Sequence, residues 1–388
     1  MNAFQFARIP RIHFGTGSFS NLANIIEPYG SQVVIICSRS VSAFPVFSGF
    51  LDQLNRKQQV AEVCILTGEP SPQFVDQVVD RVSGRDPSCV VAIGGGSVVD
   101  AGKAVSAMIP LGGRVKEYLE GVGSREPDGR KIPFIAVPTT AGTGSEATRN
   151  AVISEPGPSG FKKSLRHVNY VPDIAVIDPA LTLTCPLDVT MSVGMDAFTQ
   201  LLEAYTSTGA SPLTDALAWN GLEMSVRSLP VVFTDPDNLE ARSELSYAAL
   251  LSGITLANAG LGVVHGFASV IGGLFPAPHG VVCGALVAPV TRENIRKLMA
   301  TGEHPNALWK YSRVGGLFTP EPSSMEKQLE MLSERIEAWA NDFRIPKLGK
   351  FGITRANADH IVSQAGQKTN PVKLDPDELA GILLETME

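Results

Sequence analysis

No run in the 388-residue chain approaches the ~18–20 consecutive apolar residues of a membrane-spanning helix, so no membrane partner is expected. Positive charge is also short: 32 Lys and Arg stand against 39 Asp and Glu, for a net charge of −7. A nucleic-acid binder normally carries a basic face, so no nucleic-acid partner is expected. Cysteine is scarce, and Cys37, Cys64, Cys89, Cys185 and Cys283 are odd in number, far apart and without a CxxC pair. They read as buried, reduced thiols of a cytoplasmic protein, with no activating base beside them in the sequence. The opening residues Met1 to Arg8 lack the apolar segment of a signal peptide, which also points to the cytoplasm. Charged residues make up only 18% of the chain and hydrophobic residues 44%, which excludes disorder and allows a large core.

The length suggests about two domains. Continuous apolar runs bounded by turn residues lie at 33–37, 63–66, 90–93, 134–137 and 174–177. Such runs mark strands buried on both faces. Helical patterns such as 74–82 separate them, which predicts a parallel, Rossmann-like sheet with helices on both sides. Beyond Leu183 the strand runs stop. Met195, Phe198, Leu202 and Tyr205 then recur on one helical face, and helix formers fill 213–259 and 325–343. The expected architecture is an α/β domain over residues 1–182 and an all-α domain over 183–388, with a site in the cleft between them.

Four segments carry chemistry. The first runs from Ile93 through Gly94, Gly95, Gly96 and Ser97 to Asp100 and Lys103. A strand entering three glycines and a helix lets a ligand approach the backbone, and Ser97 is a candidate helix N-cap. Free N–H groups at the helix start suit a pyrophosphate. Taken alone, the loop is a weak signal, and a plain tight turn is the lesser alternative. The second, Pro138 to Glu146, presents Thr139, Thr140 and Thr143 with two glycines after another apolar run. In the third, Asp196 and Gln200 stand at i and i+4 on one helix face, where their oxygens can hold a metal or simply face water. The fourth carries His265 and His279, two of only six histidines, in a glycine-rich apolar region. With Asp196 they make a possible nitrogen and oxygen ligand set.

Together the ordered segments GGGSVVDAGK, PTTAGTGSEAT, DPALTLTCP, GMDAFTQLLEAYTS and VVHGFASVIGGLFPAPHG resemble the iron-containing (group III) alcohol dehydrogenase family over nearly the whole chain. The resemblance implies the dehydroquinate synthase-like fold of that family. It also implies NAD(P)-linked interconversion of small alcohols with aldehydes or ketones, and a homodimer or larger assembly. Carried over by position, Gly94, Gly95, Gly96, Ser97, Thr139, Thr140, Thr143 and Lys162 are cofactor-binding candidates. Asp100, His265 and His279 are catalytic candidates. Asp196, Gln200, His265 and His279 are the candidate ligands of Fe²⁺, Zn²⁺ or another divalent ion.

Three positions depart from the family pattern. Gln200 stands where the fourth ligand is normally His, and Ser269 stands where a second His often follows in the HxxxH segment. Ser38 occupies the strand end where NAD-preferring relatives often carry Asp, and Arg39 follows it. Loss of that carboxylate favours the 2′-phosphate of NADP over NAD. The changed ligands also leave open a metal-independent enzyme resembling maleylacetate reductases, with Arg149 pairing an acidic keto or enol substrate, and a catalytically altered relative that binds cofactor only. A dehydroquinate synthase-like reaction is disfavoured by the few basic residues around the His segment. Asn150, Ile153, Phe267 and Phe275 are expected to line the pocket.

Overall fold

The computed structural model describes residues 3–157, 160–319 and 321–387. Eight strands occur among them: β1 (Arg11–Phe14), β2 (Gln32–Ser38), β3 (Val60–Leu66), β4 (Cys89–Gly94), β5 (Phe134–Pro138), β6 (Asn150–Glu155), β7 (Phe161–Arg166) and β8 (Ile174–Ile177). Six form one parallel sheet in the order β1-β8-β5-β4-β2-β3. The apolar runs end up inside it: every residue of β4, β5 and β8 is buried. Alternate side chains of β2 and β4 serve the two faces. Val34, Ile36, Val90 and Ala92 pack toward the helices Pro72–Val82 and Gly96–Leu111. Val33, Ile35, Val91 and Ile93 pack toward Phe47, Phe50 and Leu54 of the helix Pro45–Arg56. Ser71 caps the helix Pro72–Val82 by accepting from the Phe74 N–H.

The chain passes from β2 outward to β3, then returns across β2 to β4. Strand order therefore reverses between β2 and β4, and a crevice opens beyond their carboxyl ends. Ser38 and Gly94 stand at those two ends.

From Leu187 onward the structure is helical. The helix Leu187–Thr206 is buried nearly all round, among the helices Pro212–Thr234, Leu239–Ala259 and His279–Thr301. An axial position of this kind explains why its apolar residues exceed one stripe. It also makes the buried carboxylates and amide on it, Asp196, Glu203 and Gln200, conspicuous. Among the described residues no single helix is long and apolar enough to cross a membrane. Leu239–Ala259 and Val263–Leu274 pass that test only as a pair, and they meet at a 99° bend.

Two features differ from the sequence reading. The hairpin β6–β7, antiparallel with Val152 opposite Ser164, was not expected from its charged residues. The N-cap of the glycine-loop helix is Gly95, so Ser97 sits inside the first turn and does not cap it. Among the cysteines, Cys37, Cys64, Cys89 and Cys283 are buried, while Cys185 is half-buried.

Candidate functional site

A cavity of about 320 Å³ lies beyond the strand ends, between the sheet and the helical half. Gly96, Ser97, Asp100 and Thr143 form one wall, the hairpin contributes Asn150, Val152 and Lys162, and Gln200, His265 and His279 form the opposite wall. The glycine loop is tightly constrained. A Cβ on Gly96 would sit 2.5 Å from Thr143 Oγ1, and one on Gly94 would sit 2.6 Å from a Val98 methyl. Gly95 instead has ordinary contact with Thr140 at 3.4 Å. The Thr139 N–H donates to the Gly94 carbonyl at 3.0 Å, which ties the two loops together. The second loop is wedged against the helical half: Gly144, at φ 60°, approaches the Gly253 backbone so closely that a Cβ would clash at 2.4 Å.

Lys103 holds these loops in place from beneath. Its fully buried ammonium donates to Ser145 O (2.9 Å), Ser145 Oγ (3.1 Å), Thr148 Oγ1 (3.0 Å) and Asn150 O (2.6 Å). Asp100 lies 3.5 Å from it and accepts from Ser145 Oγ at 2.5 Å. Burial raises the Asp100 carboxyl, with Lys103 opposing. Burial likewise lowers Lys103, with Asp100 opposing. At the cavity rim Lys162 pairs with Glu69 at 2.5 Å. Ser38 and Arg39 lie at the end of β2, outside this cavity's lining. Ser38 Oγ accepts from the Val41 N–H at 3.3 Å, and Arg39 is exposed.

On the far wall, Asp196, His265, His279 and Cys283 each turn one ligand atom into a common space, all within 4.8 Å of one another. Asp196 Oδ1 is 3.2 Å from His265 Nε2 and 3.8 Å from His279 Nε2. His265 Nδ1 faces Glu203 Oε2 at 2.7 Å, which fixes the ring with Nε2 toward the cluster. Burial opposes a charged Asp196, but the two histidines outweigh it and hold its carboxyl down at about 2. Burial pulls His265 down, yet Cys283, Asp196 and Glu203 lift it well above the usual imidazole value. Burial pushes His279 down to about 4, and its buried Nδ1 has no hydrogen-bond partner among the described residues. The Gln200 carbonyl oxygen accepts from Ser252 Oγ at 2.7 Å. Ser269 Oγ donates to the His265 carbonyl at 2.9 Å.

The structure thus brings Gly96, Ser97, Asp100, Thr143, Lys162, Gln200, His265 and His279 to one cavity, with Asp196 buried directly behind its histidine wall. Sequence reasoning missed Cys283, whose sulfur is 3.7 Å from His265 Nε2 and 3.8 Å from His279 Nε2. The expectation that no base stands near a cysteine is therefore corrected. The clue was present: Cys283 follows His279 by four residues, one helical turn along the same face. Among the expected pocket residues, Ile153 and Phe267 are wholly buried in the core and do not line the cavity. Phe275 packs against the helical core, and Arg149 is outside the lining.

Residues 10–179 match the model of the iron-containing alcohol dehydrogenases, and residues 190–387 match that of the Fe-containing alcohol dehydrogenase family, C-terminal. The chain belongs to the iron-containing alcohol dehydrogenase family. It is 29% identical to alcohol dehydrogenase 4 of Saccharomyces cerevisiae, with 98% of this chain and 97% of that protein covered. It is 31% identical to the NAD-dependent methanol dehydrogenase of Bacillus methanolicus over 72% of this chain and 73% of that one. Among solved structures, a 1,3-propanediol oxidoreductase superimposes with a TM-score of 0.85 at 28% identity, covering 98% of this chain and 99% of that one.

Proposed function

We propose that this member of the family is an NAD(P)-linked oxidoreductase interconverting a small alcohol with its aldehyde or ketone. The observation that carries the reading is one cavity lined by the glycine loop, His265 and His279, with Asp196 buried behind the two histidines. The donor set fits a divalent ion: a buried carboxylate held ionised, two imidazole nitrogens facing it, and Glu203 orienting one of the rings. When bound, the nicotinamide exchanges hydride with the substrate carbon while a divalent ion polarises the substrate oxygen.

In this reading residues 1–182 hold the dinucleotide and residues 183–388 hold the metal and substrate. Gly94, Gly95, Gly96 and Ser97 bring backbone N–H groups and a helix N-terminus to the pyrophosphate. Thr139, Thr140 and Thr143 brace that loop from the next strand end. Lys162 places a cation at the rim. Asp100 acts through Ser145 and Lys103 as a positioning residue. Asp196, His265 and His279, with Gln200 beside them, hold the ion and orient the reacting oxygen. Ser38 and Arg39 leave no carboxylate at the β2 end, so the site accepts the 2′-phosphate of NADP. Ser269 makes its hydrogen bond to backbone, so proton exchange with solvent runs through water.

The test is spectrophotometric. Purified protein is supplied with NAD⁺ or NADP⁺, a divalent metal and a panel of primary and secondary alcohols, and the reverse reaction is run with the matching carbonyls. Cofactor reduction that depends on alcohol supports the reading. Cofactor binding with no turnover across either panel overturns it.

A further inference from the structure

The geometry points to Cys283 Sγ as the fourth protein ligand of the metal site, in place of Gln200. This inference rests on the reading above only in requiring that a divalent ion binds at Asp196.

The local sequence sets the arrangement. His279 opens the helix His279–Thr301, and Cys283 lies one turn further along it. Side chains at i and i+4 share a helix face, so both reach the same space. Asp196 reaches that space from the axial helix Leu187–Thr206, and His265 from the first turn of Val263–Leu274. Cys283 is wholly buried, so its sulfur meets the cluster and not the solvent.

The distances fit the sulfur. Metal–nitrogen and metal–oxygen bonds of ~2.0–2.1 Å and a metal–sulfur bond of ~2.3 Å, set tetrahedrally, put sulfur ~3.6 Å from nitrogen and nitrogen ~3.3 Å from oxygen. The observed sulfur–nitrogen separations are 3.7 and 3.8 Å. The observed nitrogen–oxygen separations are 3.2 and 3.8 Å. Four of the six separations thus stand near those of such a site, and all six lie within 4.8 Å. The Gln200 oxygen already accepts one hydrogen bond, from Ser252 Oγ at 2.7 Å.

Chemistry favours the same choice. As the sulfur–metal bond forms, the S–H bond breaks, the proton leaves to solvent, and no electron changes hands. The resulting thiolate and the Asp196 carboxylate balance a divalent cation, whereas the neutral Gln200 leaves one charge uncompensated. A soft sulfur donor also moves preference toward Zn²⁺ and away from harder ions.

The test uses the full-length chain loaded with Co²⁺, which stands in for Zn²⁺ and reports its ligands by absorption. The wild type is expected to show thiolate-to-cobalt charge-transfer absorption in the near ultraviolet, together with the visible bands of a tetrahedral ion. Cys283→Ser and Cys283→Ala lose the charge-transfer band, and Zn²⁺ affinity falls roughly 100-fold or more in Cys283→Ala, at or beyond the upper end for loss of an outer-shell partner. Gln200→Ala keeps the band. Co²⁺ bound by the wild type without the band overturns the assignment, as does a band that survives in Cys283→Ser. If alcohol-dependent turnover persists in either case, the alcohol dehydrogenase reading stands and only the ligand assignment fails. Failure of the wild type to bind Co²⁺ or Zn²⁺ overturns the assignment, and absence of turnover on both panels separately removes the reading beneath it.

Discussion

Replacing Lys103 with Met probes the device that holds the two loops together. The substitution keeps the apolar stem and removes the ammonium. The carbonyls of Ser145 and Asn150 then lose a buried donor, and Asp100 loses the cation beside it. Breaking one half of a buried ion pair costs about 3–5 kcal/mol, because the remaining charge is stranded away from water. That is a large share of the roughly 5–15 kcal/mol that holds a folded protein together. The control is Lys116→Met. Lys116 pairs with Glu155 at the surface, and both side chains are at least 40% exposed. Such a pair contributes at most about 1 kcal/mol. Urea denaturation followed by far-ultraviolet circular dichroism compares the two variants at one pH and protein concentration. The expected order is a large drop in midpoint for Lys103→Met and almost none for Lys116→Met. Adding Asp100→Asn to Lys103→Met removes the stranded charge and restores part of the loss. Equal midpoints for the two lysine variants would refute the argument that Lys103 is the structural tie.

Two further outcomes follow from the same region and from the β2 end. Burial raises the Glu146 carboxyl from 4.5 to about 7, with its own backbone N–H and then Lys103 opposing. A folded value above the unfolded one stabilises fully below about pH 4.5, and that stability is lost as the pH climbs through about 7. Glu146→Gln, neutral at every pH, should flatten the stability profile over that window and exceed the wild type at pH ~8 by up to about 3 kcal/mol. Parallel profiles would count against a buried, titrating Glu146. At the cofactor end, Ser38→Asp restores a carboxylate that accepts from a ribose 2′-hydroxyl and repels a 2′-phosphate. The ratio of kcat/KM for NADP⁺ to that for NAD⁺ should fall by about 10–100-fold. An unchanged ratio would show that the adenosine ribose lies elsewhere.

The sequence makes some parts of this structure plain and hides others for physical reasons. Strands β2, β4, β5 and β8 stand out because burial on both faces demands continuous apolar runs. Strand β1 is only four residues long and lies at the sheet edge, so Arg11 and His13 mask it. The β6–β7 hairpin is hidden because one of its faces lines a polar cavity. Asn150, Val152, Lys162, Ser164 and Arg166 face that cavity, while Ala151, Ile153 and Leu165 pack into the core. A strand's side chains alternate, so Ile153 was assigned to the wrong face by a single position. Phe267 was misplaced for the helical version of the same reason: His265 and Ser269 share the cavity face, and Phe267 lies between them on the core side. The glycine loop, Asp196 and the two histidines were legible because their residue types are unusual in apolar surroundings. Cys283 was not, because a buried cysteine in an apolar helix resembles core packing until the fold sets two histidines beside it.

The most direct test of the whole account is the metal content of the protein and of Asp196→Ala. Each is purified without added metal, loaded in turn with Fe²⁺ and Zn²⁺, dialysed, and measured by elemental analysis alongside alcohol-dependent cofactor reduction. The account predicts nearly one ion per wild-type chain. It also predicts that Asp196→Ala loses both the ion and turnover while cofactor affinity is retained. An Asp196→Ala protein that turns over alcohol at the wild-type rate, or a wild type that reduces cofactor with no metal bound, would contradict it.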